Sequence, residues 1–243
     1  VKKNKLRFEG VSINSKEIKK DNLFISIKGK NHDGHFFARE ALKNKANYCV
    51  VQRNINKLDK NKLIKCLNTN KFLNKLAIIK RNNINAKVIA ITGSSGKTTL
   101  KTLIGKILNE YAKTYFSEKS YNNHIGVPLS LCNLENDHKY GVFEIGMSNR
   151  GEIRRLSSFV KPNIAIITNI GEAHIENFNN LNGIAKAKSE IIQNIDKGGY
   201  LILNRDDKYF NFFLKLANKR KINVLSFGLS GKANAKLINS RLN

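Results

Sequence analysis

The chain has 243 residues, with 44 Lys and Arg against 18 Asp and Glu for a formal net charge of +26, three cysteines and two prolines. That length allows two modest domains and a sizeable core. No apolar run approaches a membrane span and no signal-peptide core follows the basic N-terminus, while Cys49, Cys66 and Cys132, odd in number and without metal-ligand spacing, argue against a disulfide framework and suit a reducing compartment.

The charge raises nucleic acid or an anionic membrane as partners. Its lysines, however, are scattered among asparagine and isoleucine, as over residues 54–74, and form no compact basic helix or aromatic-basic alternation. A cytoplasmic protein that binds no nucleic acid and inserts in no membrane is expected, with a surface that attracts phosphorylated substrates. The chain begins at Val1 rather than Met and is expected to be a piece of a longer one.

In chain order, residues 23–27 and 48–51 read as strands with a helix over 36–45 between them. The connection from Lys28 to His35 is loop chemistry, with Asp33-Gly34 marking a turn before the helix. A strand at 63–66 and a helix through Phe72, Leu73, Leu76 and Ala77 complete a small α/β unit. The polar residues 81–85 are expected to be a linker, which divides the chain into domains 1–83 and 84–243.

The second domain opens on the apolar run of residues 88–91, a strand buried on both faces. Thr92-Gly93-Ser94-Ser95-Gly96-Lys97-Thr98-Thr99 follows, and then a helix with Leu100, Leu103, Ile104, Ile107 and Leu108 on one face. Strand, glycine-bearing loop and helix N-terminus make a phosphate-binding context. Free backbone N–H groups and the helix dipole face an anion, Lys97 reaches the outer phosphates, and the Thr98 hydroxyl suits magnesium. The loop is incomplete, since Ile91 stands where the general pattern has its first glycine. A plain glycine turn is the alternative.

Beyond the loop, strands at 114–116, 141–145, 163–168, 200–203 and 224–227 alternate with helices at 127–134, 152–159, 183–194 and 208–219. This is the pattern of a doubly wound, mostly parallel α/β sheet. Residues 232–243 read as an interrupted element. Ligands in such sheets bind beyond the carboxyl ends of the strands. There Glu144 follows one strand and residues 168–174, ending in His174, follow the next. Either could be structural, a helix-cap partner or a core histidine, but their common placement with the loop points to a metal-nucleotide site.

The loop, Asn122-Asn123-His124-Ile125-Gly126-Val127-Pro128-Leu129, Glu144-Ile145-Gly146-Met147-Ser148, Thr168-Asn169-Ile170-Gly171-Glu172-Ala173-His174 and Ala187-Lys188-Ser189-Glu190 together resemble the Mur ligase family. These enzymes build the peptide stem of bacterial peptidoglycan by ATP-driven amide formation. The Asn122 block is similar to the branch that adds D-alanyl-D-alanine to UDP-N-acetylmuramoyl-tripeptide. Toward the N-terminus, Ser12-Ile13-Asn14-Ser15-Lys16 and Lys28-Gly29-x-x-x-Asp33-Gly34-His35-x-Phe37 resemble the UDP-sugar-binding domain of that branch, with Lys16 where arginine is usual. The lysine lacks the planar two-pronged donor.

The resemblance implies a UDP-sugar domain over 1–83, using Ser15, Lys16, Lys28, Gly29, Asp33, Gly34 and His35. It implies an ATP domain over 84–243, cut short, with the family's C-terminal domain absent. Gly93, Ser94, Ser95, Gly96, Lys97, Thr98 and Thr99 would hold ATP, aided by Asn122, Asn123 and, on the adenine side, Asn204. Thr98 and Glu144 would bind one Mg2+, and Glu144 and His174 a second. Lys188 would be carbamylated and ligate metal, and Lys97, Lys188 and His174 would serve catalysis in an expected monomer. The alternatives are another Mur-type ligase, folylpolyglutamate synthase, whose loop usually reads Thr-Asn-Gly-Lys-Gly-Ser, and a nucleic-acid-binding P-loop protein, favoured only by charge.

Overall fold

The computed structural model describes residues 6–29, 31–173 and 175–238, which divide into two compact units. One comprises the described residues up to Lys80 with Leu131–Asn133, and the other Arg81–Ser130 with the described residues from Leu134 onward.

The first unit holds a four-stranded parallel sheet in chain order, β1 (Val11–Ser12), β2 (Leu23–Ile25), β3 (Tyr48–Val51) and β4 (Leu63–Lys65). Between β2 and β3 a 3-10 turn, Gly34–Phe37, leads into helix α1 (Ala38–Lys43). Phe24, Cys49 and Val51 of the sheet meet Ala38 and Ala41 of α1, so small helix residues let the layers close. Helix α2 (Thr69–Asn83) follows β4. Its last turn takes up residues 81–83, so the expected linker shrinks. Arg81 is buried, and its guanidinium donates to the carbonyls of Val160, Ile84 and Lys161. Arg81 and these acceptors all belong to the second unit, where three carbonyls satisfy a donor fork that water would otherwise have to solvate.

The second unit carries a parallel seven-stranded sheet. Its strands are β5 (Lys87–Thr92), β6 (Thr114–Phe116), β7 (Tyr140–Glu144), β8 (Ile164–Ile167), β9 (Tyr200–Asn204), β10 (Asn223–Gly228) and β11 (Ala235–Lys236). They lie in the order β11-β10-β9-β8-β5-β7-β6. The chain leaves β5 toward one edge and returns across it to build the other, which opens a crevice at the carboxyl ends of β5, β7 and β8. Strand β5 is central, and Val88, Ala90 and Ile91 are fully buried, as an apolar run between two covered faces requires.

Around this sheet run α3 (Lys97–Tyr111), α4 (Gly126–Cys132), α5 (Glu152–Val160), α6 (Leu181–Ser189) and α7 (Phe210–Lys219). Leu100, Ile104 and Leu108 of α3 pack against Ile89, Ile91 and Val142. Leu103 and Ile107, expected on the same buried face, are 54% and 51% exposed, and Lys101 and Gly105 are buried instead. The buried stripe is turned toward β6 because the Phe116 ring lies against Gly105, 2.3 Å from where a Cβ would stand. The expected 183–194 helix is α6 followed by a 3-10 turn, Glu190–Asn194. Of the C-terminal stretch, residues 235–236 pair with β10, and residues 239–243 lie outside the described residues.

Candidate active site

The loop after β5 is shaped by two glycines. Gly93 has φ 150°, and a Cβ there would stand 1.8 Å from the Thr168 hydroxyl oxygen, so a side chain is excluded twice over. Gly96, at φ 77°, turns the chain into α3, whose first residue is Lys97. The turn leaves the first amides of a 15-residue helix directed at the crevice.

The β8 end braces the loop. The Ser94 amide donates to the Asn169 carbonyl at 3.0 Å and the Ser95 amide to Asn169 Oδ1 at 3.0 Å. Ser94 Oγ donates to the Gly171 carbonyl and accepts from its amide, at 2.9 and 2.8 Å, while Thr168 Oγ1 donates to the Ser95 carbonyl at 2.7 Å. Asp207 accepts from the Ile170 amide at 2.9 Å, fixing the same segment from the β9 side.

On the other side of the loop stands Glu144, 2% exposed at the end of β7. Its Oε2 accepts from Thr98 Oγ1 at 2.7 Å, and its Oε1 accepts from Asn122 Nδ2 at 2.7 Å and Ser120 Oγ at 3.1 Å. Among the described residues no cationic side chain forms an ion pair with this carboxylate. A buried anion held only by neutral donors is ready for a cation. The oxygens of Thr98, Glu144 and Ser120 form a hard donor set that fits magnesium.

Lys97 curls over the loop and donates to the carbonyls of Gly93 at 2.8 Å and Ser94 at 3.3 Å. Burial lowers its pKa, and the Glu144 charge opposes that shift. Lys188, on α6, is 3% exposed and has no ion pair among the described residues. Burial, and after it the charge of Lys97, brings its pKa down to about 7. Lys186, two residues earlier, is exposed, as helical geometry requires.

Not every expected residue joins this cluster. Asn123 caps α4, its Oδ1 accepting from the Ile125 and Gly126 amides, and Asn204 Oδ1 accepts from the Asp206 amide. Thr99 is exposed on α3, where it lines an open groove with Thr98, Thr102, Leu103 and Lys106. His174 lies outside the described residues. Sequence reasoning missed Ser120 and Lys101. The available signal for Lys101 was a lysine one turn beyond Lys97 on the same helical face. Elsewhere Glu135, Asp137 and His138 gather within metal-binding reach, but Lys113 draws the two carboxylates together, at 3.1 and 2.6 Å.

In the first unit, the Asp33 carboxylate accepts from the His35 amide at 3.0 Å and from Arg53 at 3.0 Å. The Gln52 amide donates to His35 Nε2 at 2.8 Å, so Nδ1 carries the proton and donates to Asp33. Burial works against ionisation of Asp33, but the His35 hydrogen bonds and the Arg53 charge outweigh it and hold its pKa below the ordinary value. Gly34 leaves no room for a Cβ, which would stand 2.7 Å from the Ile27 backbone nitrogen. Ser15 is buried and donates to Glu40 at 2.6 Å, while Lys16, Lys28 and Gly29 are exposed.

A central parallel strand, a glycine-shaped loop, a lysine and threonine at the helix start and a strand-end carboxylate define an α/β nucleotide-binding protein of the P-loop class. The Mur ligase middle domain matches residues 91–242, and the catalytic domain of the Mur ligase family matches residues 7–81. The chain belongs to the Mur ligase family.

It is 40% identical over 236 residues to the UDP-N-acetylmuramoyl-tripeptide--D-alanyl-D-alanine ligase of Rickettsia prowazekii, covering 97% of this chain and 52% of that protein. To the enzyme of the same name from Escherichia coli it is 33% identical, over 89% of this chain and 48% of the other. A crystal structure of MurF from Acinetobacter baumannii superposes with TM-score 0.79 at 33% identity, over 92% of this chain and 48% of that one. MurF ligase from Thermotoga maritima in complex with ADP gives 0.77 at 30% identity, over 93% and 52%. The chain spans about half the length of these relatives.

Proposed function

We propose that this chain is the UDP-sugar- and ATP-binding part of an ATP-dependent, ADP-forming amide ligase of peptidoglycan precursor synthesis, joining D-alanyl-D-alanine to UDP-N-acetylmuramoyl-tripeptide. One observation carries the reading: the buried Glu144 carboxylate meets Thr98 beside Lys97, at a loop whose glycine admits no side chain. The names of the relatives supply the substrates. Phosphoryl transfer depends chiefly on positioning and charge neutralisation, and these residues provide both.

In this proposal Lys97 and the loop amides hold the ATP phosphates. Thr98 and Glu144 hold one magnesium ion, and Glu144 and His174 a second. Magnesium held there would supply positive charge against the phosphates. The γ-phosphoryl group passes to the terminal carboxylate of the tripeptide, forming an acyl phosphate. The dipeptide amine attacks that carbonyl, and phosphate leaves. The Asp33-Gly34-His35 turn, with Ser15, Lys16, Lys28 and Gly29, receives the UDP-sugar.

Lys188 is assigned to carbamylation. Its ammonium first loses a proton, and the neutral amine then adds to carbon dioxide, forming an N–C bond and releasing a second proton, so that an oxygen-bearing anion stands where a cation was. Burial and the nearby Lys97 support this by favouring the neutral amine. We place the enzyme in the cytoplasm as a monomer; no helix among the described residues is long and apolar enough to cross a membrane.

The test is calorimetric titration with a non-hydrolysable ATP analogue in magnesium. The chain is expected to bind it, and Lys97→Ala to weaken binding about a hundredfold with an unchanged circular dichroism spectrum, since a charge-assisted contact is lost from a loop. Equal affinity of the two proteins refutes the assignment.

A further inference from the structure

Lys101 is fully buried, and among the described residues it forms no ion pair with a carboxylate. Its ammonium donates to the Lys119 carbonyl at 3.0 Å and to Ser117 Oγ at 3.3 Å, and Ser117 Oγ donates to the same carbonyl at 2.8 Å. These acceptors lie on the segment that leaves β6. The next residue, Ser120, donates to Glu144 at 3.1 Å and accepts from Asn122 at 2.9 Å. One turn of α3 thus approaches the carboxylate by two routes: Thr98 touches it, and Lys101, three residues on, holds the loop that carries its other partners.

We propose that Lys101 is a positioning residue of the cation site, fixing residues 117–120 so that Ser120 and Asn122 aim Glu144 at Thr98. A core chosen for packing alone would place an apolar chain here, because burying an ammonium is costly. The lysine's reach and its charge-assisted bonds to a loop without regular structure explain its presence. Its positive charge also lies near enough to be attracted by the Glu144 carboxylate. The inference rests on Thr98 and Glu144 as cation ligands.

The experiment titrates the 243-residue chain with a non-hydrolysable ATP analogue, first without magnesium and then across a magnesium series. In Lys101→Met, whose side chain has similar length, metal-free affinity stays unchanged while the magnesium concentration for half-maximal binding rises about tenfold, the size expected when support behind a metal ligand is lost. Wild-type binding that ignores magnesium overturns the cation-site reading itself. A magnesium-dependent wild type with an unshifted Lys101→Met overturns this inference alone, as does a loss that is equal with and without the metal. If Lys101→Met does not fold, Ser117→Ala removes one acceptor and keeps the charge; it should shift the same midpoint in the same direction, and no shift overturns the proposal.

Discussion

Gly93 has no room for a side chain, and the reason is local: the Thr168 hydroxyl, bound to the Ser95 carbonyl, occupies the place a Cβ would take. Gly93→Ala must displace either Thr168, just after β8, or the phosphate loop and also strain a φ of 150°. A loss of about 2–4 kcal/mol in denaturant unfolding is expected. Adding Thr168→Ala should restore part of it, since the closest clash disappears while the backbone strain remains; no recovery in the double variant would show that the clash is not the cause. Lys188 makes a second prediction at this scale. Its folded pKa of about 7 lies below the ordinary value of 10.5, so between these values the unfolded chain binds the extra proton. Stability should therefore rise with pH through that window, by about 2 kcal/mol between roughly pH 7.5 and 9.5. Below the folded pKa both states are protonated and the penalty is constant. In carbon-dioxide-free buffer, where the amine carries no carbamate, Lys188→Met should flatten the rise in urea-unfolding series across this range, and an unchanged slope would reject the buried neutral amine.

Helix α3 shows what residue pattern can and cannot reveal about an element. Helix propensity favours Gly105→Ala by about 1 kcal/mol, but the new methyl would lie 2.3 Å from the Phe116 ring. A net loss of about 1–3 kcal/mol is expected. Leu103→Ser on the exposed side should change stability by no more than about 0.5 kcal/mol. Thermal unfolding of the two variants checks both, and stabilisation by Gly105→Ala would refute the packing. Periodicity marked the helix but widened its buried face to Leu103 and Ile107, because spacing alone cannot show that an aromatic ring has claimed the glycine side. Strands β5 and β8 were legible as β-branched runs ending in turn residues. Strand β1, two residues long, offered no period to read. Helix α6 ends at Ser189, short of the apolar pattern, where Glu190 accepts from the Gly151 and Arg154 amides at the start of α5, a tertiary contact. The same division holds at the site. Lys97, Thr98 and Glu144 could be placed from strand, loop and helix order, whereas Ser120 and Lys101 join through packing between β6 and α3, which leaves no motif.

At the scale of the whole molecule the dominant property is charge, 44 basic against 18 acidic side chains. Such an excess attracts polyanions without specificity, so binding to nucleic acid in dilute buffer would say little about function. Ionic strength separates the two cases. A polyelectrolyte partner gains affinity by releasing condensed counterions, and a protein that contacts six to ten phosphates loses roughly 10³–10⁵ in affinity between 50 and 200 mM salt. A nucleotide has few charges and no comparable condensed counterion atmosphere. It would be held by the half-buried Lys97, the loop amides and a cation on the buried Glu144, contacts at short range that salt screens weakly. Over the same interval, affinity for the ATP analogue at constant free magnesium should fall less than about tenfold, while any binding of a random-sequence duplex should collapse. Titrations of both ligands at matched salt concentrations measure this directly. A duplex affinity that survives 200 mM salt, or a nucleotide affinity that falls as steeply as the duplex does, would favour a nucleic-acid-binding protein over a ligase.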